Sequence, residues 1–342
     1  MTIIPNILLI YTGGTIGMVK DYKTNALKSF DFDQIRKKIP ELKLLNCNIQ
    51  TISFISPIDS SNMNPEYWVQ IAEIIESYYD KMDGFVVLSG TDTMAYTASA
   101  ISFMFENLSK PIIFTGSQLP IGDLRTDAKE NLITAIQIAA TIKNGKPIIG
   151  EVCLYFEYKL YRANRTTKVS AEQFQAFHSP NFPQLGESGV HLNFNKRTLS
   201  SVNQNKKIIV RKNVEANIVI LKLFPGIKEQ VVKCILEIEN LQGVVLETYG
   251  GGNAPTAKWF IDLLQNAIKK NIPIINVTQC ISGSVDMGLY ETSSQLKKIG
   301  MIDGKDITTE SAVAKLIYLI GIGVSILDFK KTFETPLRGE ME

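Results

Sequence analysis

Ile7-Leu8-Leu9-Ile10-Tyr11-Thr12-Gly13-Gly14-Thr15-Ile16-Gly17 places a short apolar run directly before a pair of glycines. The run predicts a buried first strand, Ile7 to Ile10,. Glycine lets the backbone turn sharply and lets another segment or molecule approach closely. Two hydroxyls, Thr12 and Thr15, lie in the turn. In open α/β sheets ligands bind beyond the carboxyl ends of the strands, so a threonine there is a candidate nucleophile. A nucleotide loop fits less well. The dinucleotide fingerprint wants a glycine where Thr12 stands, and a phosphate loop of the Gly-Lys-Ser/Thr type wants a lysine that is missing,. Taken alone, the turn is equally compatible with a purely structural role.

The bulk properties narrow the field. A chain of 342 residues is one long domain or two ordinary ones,. Its 36 basic and 34 acidic residues leave a formal charge of +2, which gives no support for a nucleic-acid or membrane-surface partner,. The start, MTIIPNILLI, lacks a basic region and a small-residue cleavage site, so no signal peptide is read,. The longest uncharged apolar run, Leu316 to Leu327, has 12 residues. About 20 are needed to span a bilayer. Cys47, Cys153, Cys234 and Cys280 form no Cys-x-x-Cys pair, and Cys153 and Cys234 read as core thiols,. This usage favours a reducing, cytoplasmic setting. The two histidines, His178 and His191, lack the spacing of a zinc site,. Any nucleophile is therefore expected to rely on another base, such as a lysine.

Along the chain, polar turns recur at strand ends. Met18 to Phe30 is polar and irregular, either a mobile lid or an ordinary surface loop. A short helix is expected over Asp31 to Ile39, then a strand over Ile49 to Ile55 that ends in Ser56-Pro57-Ile58-Asp59-Ser60-Ser61-Asn62,. Asn64 and Pro65 start a helix with Ile71, Ile74, Ile75 and Tyr78 on its apolar face,. A strand over Gly84 to Leu88 runs into Ser89-Gly90-Thr91-Asp92-Thr93, and a helix follows at once. Thr91 and Asp92 thus sit at a helix N-terminus, either as ordinary caps or as site residues. Further strands are expected over Pro111 to Phe114 and Gly150 to Phe156, with a helix over Arg125 to Ile142 between them. Arg162 to Lys168 is a polar run carrying one lysine. Residues 178–205 are rich in Pro, Gly, Ser and Asn and mark a domain junction,. The alternation then resumes, including Tyr249-Gly250-Gly251-Gly252-Asn253-Ala254-Pro255 ahead of a helix that runs to Lys269. Strands alternating with helices predict parallel sheets covered on both faces, an α/β fold. The expected organisation is a catalytic domain over 1–190, a linker over 191–212 and a smaller α/β domain over 213–342.

With these turns on the page, the chain resembles a known family. TGGTIG at 12–17 and GTDT at 90–93 are similar to the two signature segments of bacterial-type L-asparaginases. IDSSNM at 58–63, RTTK at 165–168 and GNAP at 252–255 resemble the type I, cytoplasmic branch. The resemblance runs through nearly the whole chain. It implies a larger N-terminal parallel-sheet domain and a smaller C-terminal α/β domain. It also implies cofactor-free hydrolysis of L-asparagine to L-aspartate and ammonia through a threonine acyl-enzyme. By that match Thr15 is the attacking residue. Ser60 and Asp92 hold the α-carboxylate and α-amino group, and Asp59 and Ser61 line the site. Thr91 and Lys168 form a second hydroxyl–base pair. Asn253 completes the site of a neighbouring subunit in a homodimer or homotetramer.

Three positions depart from the family pattern. Tyr22 falls earlier than the lid tyrosine of members that use one, and Asn62 stands where many have Asp. Around Thr167, Glu247 and Cys280 the match to the regulatory asparagine site of some members is partial, because Glu247 replaces an arginine. Allosteric control is left open at this point.

The chemistry is coherent without the family. Amide hydrolysis needs a nucleophile, a base and stabilisation of an oxyanion. An amino-acid substrate carries one cation and one anion, which Asp92 and Ser60 suit. Two alternatives stand beside an asparaginase. One is a glutaminase-asparaginase of relaxed specificity, because one methylene is worth only about 1–3 kcal/mol of discrimination. The other is a non-catalytic amino-acid-binding module on the same fold. Such a binder needs Asp92 and Ser60 but neither a nucleophile nor a lysine.

Overall fold

The apolar run at the start is fully buried and forms the centre of strand β1 (Asn6–Gly13). The computed structural model describes residues 4–20, 27–29, 39–201, 206–214, 216–288 and 291–342. Tyr22 and all but the last residue of the helix expected over 31–39 lie outside them. The chain divides into two units, Met1–Val210 and Arg211–Glu342.

In the first unit β1 is followed by β2 (Asn48–Ile58), β3 (Gly84–Leu88), β4 (Ile112–Thr115) and β5 (Val152–Phe156). These five pair in parallel in the order β2-β1-β3-β4-β5. Three antiparallel strands extend the sheet beyond β5: β6 (Lys159–Arg162), β7 (Gly186–Ser188) and β8 (Leu192–Phe194). The strand β8 lies inside the stretch that the sequence reads as linker. The segment after it is held from a distance: Arg162 pairs with the Glu151 carboxylate at 2.6 Å and donates to the Thr198 carbonyl and the Ser200 hydroxyl. Such contacts leave no local periodicity to read.

Helices cover the sheet. Asn64 caps α1 (Pro65–Tyr78) by accepting from the Glu66 and Tyr67 N–H groups, and Trp68, Ile71, Ala72 and Ile75 form its buried face. In α2 (Met94–Met104) small residues dominate and nearly every side chain is buried. The next helix, α3 (Ala128–Ala139), is shorter than expected at both ends. Side chains of β1, β3 and β5 pack with α3 around Leu9, Val86, Leu88, Leu132 and Ile136 as one core.

The second unit is a four-stranded parallel sheet: β9 (Ile218–Lys222), β10 (Gly243–Thr248), β11 (Ile274–Thr278) and β12 (Ile302–Asp303), in that order. Its helices are α4 (Glu229–Leu236), α5 (Lys258–Lys269), α6 (Glu291–Lys298), α7 (Thr309–Gly321) and α8 (Ile326–Phe333). No helix among the described residues is long and apolar enough to cross a membrane. Of the four free thiols only Cys153 is fully buried. Cys234, expected in the core, is exposed, because it falls on the outer side of amphipathic α4, where Val232 and Leu236 point inward.

Among the described residues of the second unit, one pair of charges has no access to water. Lys315 on α7 is fully buried. Its ammonium donates to the Phe333 carbonyl (2.6 Å), the Thr335 carbonyl (2.8 Å) and the Glu340 carboxylate. Glu340, also fully buried, accepts in addition from the Leu337 and Arg338 N–H groups. Burial pushes the ammonium of Lys315 down from its ordinary pKa, and the Glu340 charge pulls it part of the way back. Breaking a buried pair from one side typically costs about 3–5 kcal/mol. Glu340→Gln should cost about 3 kcal/mol, the lower end of that range, since an amide oxygen still accepts. Urea unfolding of the two proteins measures the difference. A change under about 1 kcal/mol would mean that the pair is of the weak, water-exposed kind.

Candidate active site

In a sheet of order 2-1-3-4-5, the crevice for a ligand opens where β1 and β3 diverge, beyond their carboxyl ends. The turns found in the sequence converge there. Gly13 ends β1 and Gly14 follows it, with φ of 135° and 87°, conformations that residues other than glycine rarely adopt,. Space demands glycine as well. A Cβ on Gly13 would lie 2.0 Å from the Ile58 carbonyl oxygen, and one on Gly14 would lie 2.3 Å from the Gly90 nitrogen. The backbone thus packs against the ends of both β2 and β3, and the Gly14 N–H donates to the Ile58 carbonyl at 3.2 Å.

The two threonines of this turn separate cleanly. Thr12 is buried and donates to the Leu88 carbonyl at 3.0 Å, which ties β1 to β3. Thr15 begins a short 3-10 turn (Thr15–Gly17) and is partly exposed. Below that turn the Tyr11 hydroxyl lies so close to Gly17 that a Cβ there would sit 2.1 Å from it. It is buried with no hydrogen-bond partner among the described residues, and burial pushes its pKa up to about 12.

At the end of β2, Asp59 caps the turn Ser60–Asn62. The Ser61 N–H and hydroxyl both donate to Asp59 Oδ1 at 2.8 Å, and they hold this carboxyl below its usual range. Ser60 is buried, and its side chain lies against Gly90, within 2.5 Å of where a Cβ would stand. Thr93 Oγ1 donates to the Ser60 carbonyl at 2.7 Å, joining this turn to the next.

Thr91 and Asp92 follow β3 and precede α2, whose N-terminus favours negative charge,. Lys168 reaches them from a two-residue strand, Thr167–Lys168, that pairs with Phe177–His178. Its Nζ donates to Thr91 Oγ1 at 2.8 Å and to Asp92 Oδ1 at 2.7 Å. The Lys168 side chain is 17% exposed and that of Asp92 64% exposed. The lysine is therefore largely shielded, while the carboxylate it pairs with faces outward. The sequence reading did not include Gln118, which follows β4. Its Oε1 accepts from the Thr91 hydroxyl at 3.3 Å.

Thr15, Asp59, Ser60, Ser61, Thr91, Asp92 and Lys168 all belong to the first unit, on turns at the ends of β1, β2 and β3 and on the strand after Arg162. Asn253 belongs to the second. It closes the turn Tyr249–Asn253 through paired backbone bonds of 2.8 and 2.9 Å, so the helix expected to open there starts only at Lys258. At the possible regulatory position, Glu247 is occupied locally: it accepts from the Thr309 hydroxyl at 2.7 Å and pairs with Lys222 at 3.1 Å.

Known proteins resemble the chain through both of its units. Residues 6–200 match the family model described as "Asparaginase, N-terminal", and residues 217–333 match "Glutaminase/Asparaginase C-terminal domain". The chain is 42% identical to L-asparaginase 1 of Escherichia coli (strain K12), over 98% of each chain. It is 39% identical to the 60 kDa lysophospholipase of Mus musculus, over 98% of this chain and 62% of that protein. The solved L-asparaginase I of Vibrio cholerae superposes with a TM-score of 0.91 at 39% identity, over 99% of this chain and all of that one.

Proposed function

The chain belongs to the asparaginase family, and from that premise we propose that it hydrolyses L-asparagine to L-aspartate and ammonia. One observation carries the catalytic reading: the shielded Lys168 ammonium touches both a hydroxyl, Thr91, and an outward carboxylate, Asp92. A site that only binds an amino acid has use for the carboxylate, not for a lysine–hydroxyl pair beside it.

In the proposed reaction the Thr15 oxygen attacks the side-chain amide carbon. Its proton passes to the departing nitrogen, the C–N bond breaks, and ammonia leaves an ester on Thr15. Water then attacks the ester carbon, returns a proton to Thr15 and releases L-aspartate. Thr91 and Lys168 orient that water and move its proton. Asp92 holds the α-ammonium, and Ser60 the α-carboxylate, with Asp59 and Ser61 shaping the wall. Asn253 reaches the site of a neighbouring subunit, so the working unit is a homodimer or homotetramer, and the setting is cytoplasmic.

Ammonia release from L-asparagine, D-asparagine and L-glutamine by purified protein tests the reading. Turnover of L-asparagine is expected, with kcat/KM for L-glutamine lower by roughly tenfold or more, the scale of one methylene. Comparable values for the two amides would favour the relaxed glutaminase-asparaginase. No turnover of any amide would leave the binding module. A fully active monomer in sedimentation at assay concentration would remove Asn253 from the site.

A further inference from the structure

Asp127 occupies the position where a residue normally caps a helix, directly before α3, yet its carboxylate makes no capping bond. Thr126 takes that task, accepting from the Ala128 N–H at 3.0 Å. The Asp127 carboxylate, almost fully buried, turns away toward the loop after β4. It accepts from the Gln118 N–H (2.9 and 3.2 Å) and the Leu119 N–H (3.1 Å). Asn131, one helical turn later and fully buried, donates to Asp127 Oδ2 at 3.3 Å and to the Gly116 carbonyl at 3.0 Å. Asp127 at the start of α3 and Asn131 within it thus fix three backbone groups of a four-residue turn. Bonds from N–H groups to a carboxylate are roughly twice as strong as neutral ones.

The turn has little room to drift. A Cβ on Gly116 would lie 2.5 Å from the Ser89 carbonyl oxygen and 3.6 Å from Thr91 Cγ2. Its Gln118 side chain spans two loops. Oε1 accepts from the Thr91 hydroxyl at 3.3 Å, and Nε2 donates to the Gln173 carbonyl at 3.1 Å, in the loop that follows Lys168. Gln118 therefore braces the segment that carries Thr91 against the segment that carries Lys168.

We propose that Asp127 is a positioning residue for the Thr91–Lys168 pair, acting through the 116–119 turn and the Gln118 side chain. The proposal rests on the catalytic reading of Thr91 given above. Thr91 accepts from Lys168 and gives its own hydrogen to Gln118, so Gln118 fixes which oxygen lone pair remains for water. Proton transfer depends on such alignment to a fraction of an ångström, whereas binding of the amino-acid head by Asp92 and Ser60 does not involve this turn.

Four proteins test it, each checked for native secondary structure and thermal midpoint: Thr91→Val, Gln118→Met, Asp127→Asn and the double variant of the last two. Asp127→Asn keeps the volume but offers an amide where two N–H groups need acceptors. It is expected to lower kcat by roughly ten- to a hundredfold, below the full loss for a proton-transfer group, with KM changed less than about threefold. Gln118→Met should do the same, and the double variant should be no worse than the poorer single one. Unchanged kcat in Gln118→Met or in folded Asp127→Asn would overturn the proposal. Losses that multiply in the double variant would too, because Asp127 would then act by another route. Should Asp127→Asn fail to fold, an unchanged kcat in Gln118→Met still overturns the proposal. If Thr91→Val keeps normal kcat, the catalytic reading itself is wrong. If Thr91→Val collapses while the other variants do not, only the role of Asp127 falls.

Discussion

Thr15→Ala should remove turnover almost entirely, by roughly 10⁴-fold or more in kcat, while leaving the protein folded. The chemical side of this expectation is that an alanine offers no oxygen to form the ester. What survives is the rate that binding and electrostatic stabilisation give to direct attack by water, typically a small remnant of the whole. The structural side is that Thr15 is partly exposed at the start of a 3-10 turn whose cap is Gly14, not a side chain. Losing its hydroxyl should therefore move stability by no more than about 0.5 kcal/mol, as at ordinary surface positions. Thr12→Val is the contrasting variant. Its hydroxyl joins β1 to the Leu88 carbonyl from a buried position, so it should lose about 1–3 kcal/mol of stability. Steady-state kinetics and thermal unfolding of both separate the roles. Near-normal turnover in folded Thr15→Ala would take Thr15 out of the chemistry.

Lys168→Arg and Lys168→Met should both fail, each losing roughly 10²–10⁴-fold in kcat, the scale of a positioned acid–base group. The arginine variant is the informative one. Lys168 pairs with Asp92 at 2.7 Å, and arginine can keep that ion pair. It cannot act as a base, because it stays protonated at any working pH. Its hydrogens also lie in one plane, unlike those of the single Nζ that meets both Thr91 and Asp92. If folded Lys168→Arg keeps more than roughly a tenth of wild-type kcat, well above that scale, the lysine is a fixed partner of Asp92 and not a proton carrier. Asp92→Asn should differ in kind: KM should rise with the fall in kcat, since the outward carboxylate is proposed to hold the substrate's ammonium.

The sequence carried the part of this site that is local in the chain. The apolar run before Gly13-Gly14 and the one before Ser89-Gly90 each name a strand and the turn that ends it, and two such turns suggest one crevice. Asn64 and Pro65 likewise announce α1, and the cap is where they put it. What stayed hidden depends on residues far apart. Asp127 falls inside the helix expected over Arg125 to Ile142, and nothing nearby tells that its carboxylate serves Gln118 and Leu119. The β7–β8 hairpin sits in a stretch rich in Pro, Gly, Ser and Asn, and its strands are three residues each. Only pairing with β6 reveals them. Cys234 misled because its neighbours in sequence are apolar, while the helical period turns it outward. Family resemblance, not pattern, supplied Asn253 and the pairing of Lys168 with Thr91.

The buried ion pair of the second unit also sets an order of events during synthesis. Lys315 and Glu340 are 25 residues apart. A ribosome adding about 5–20 residues per second needs roughly 1–5 s to cover that distance. Throughout that interval α7 has been made but the carboxylate that matches its ammonium has not. An ammonium without that carboxylate is costly to bury, so α7 is less stable in its interior place until Glu340 is made. The first unit, whose described elements all lie before Arg211, has been made in full before α7 begins. Nascent chains should therefore carry the turns of the first unit while the second is still half-built, and the second unit gains its full stability with the residues around Glu340.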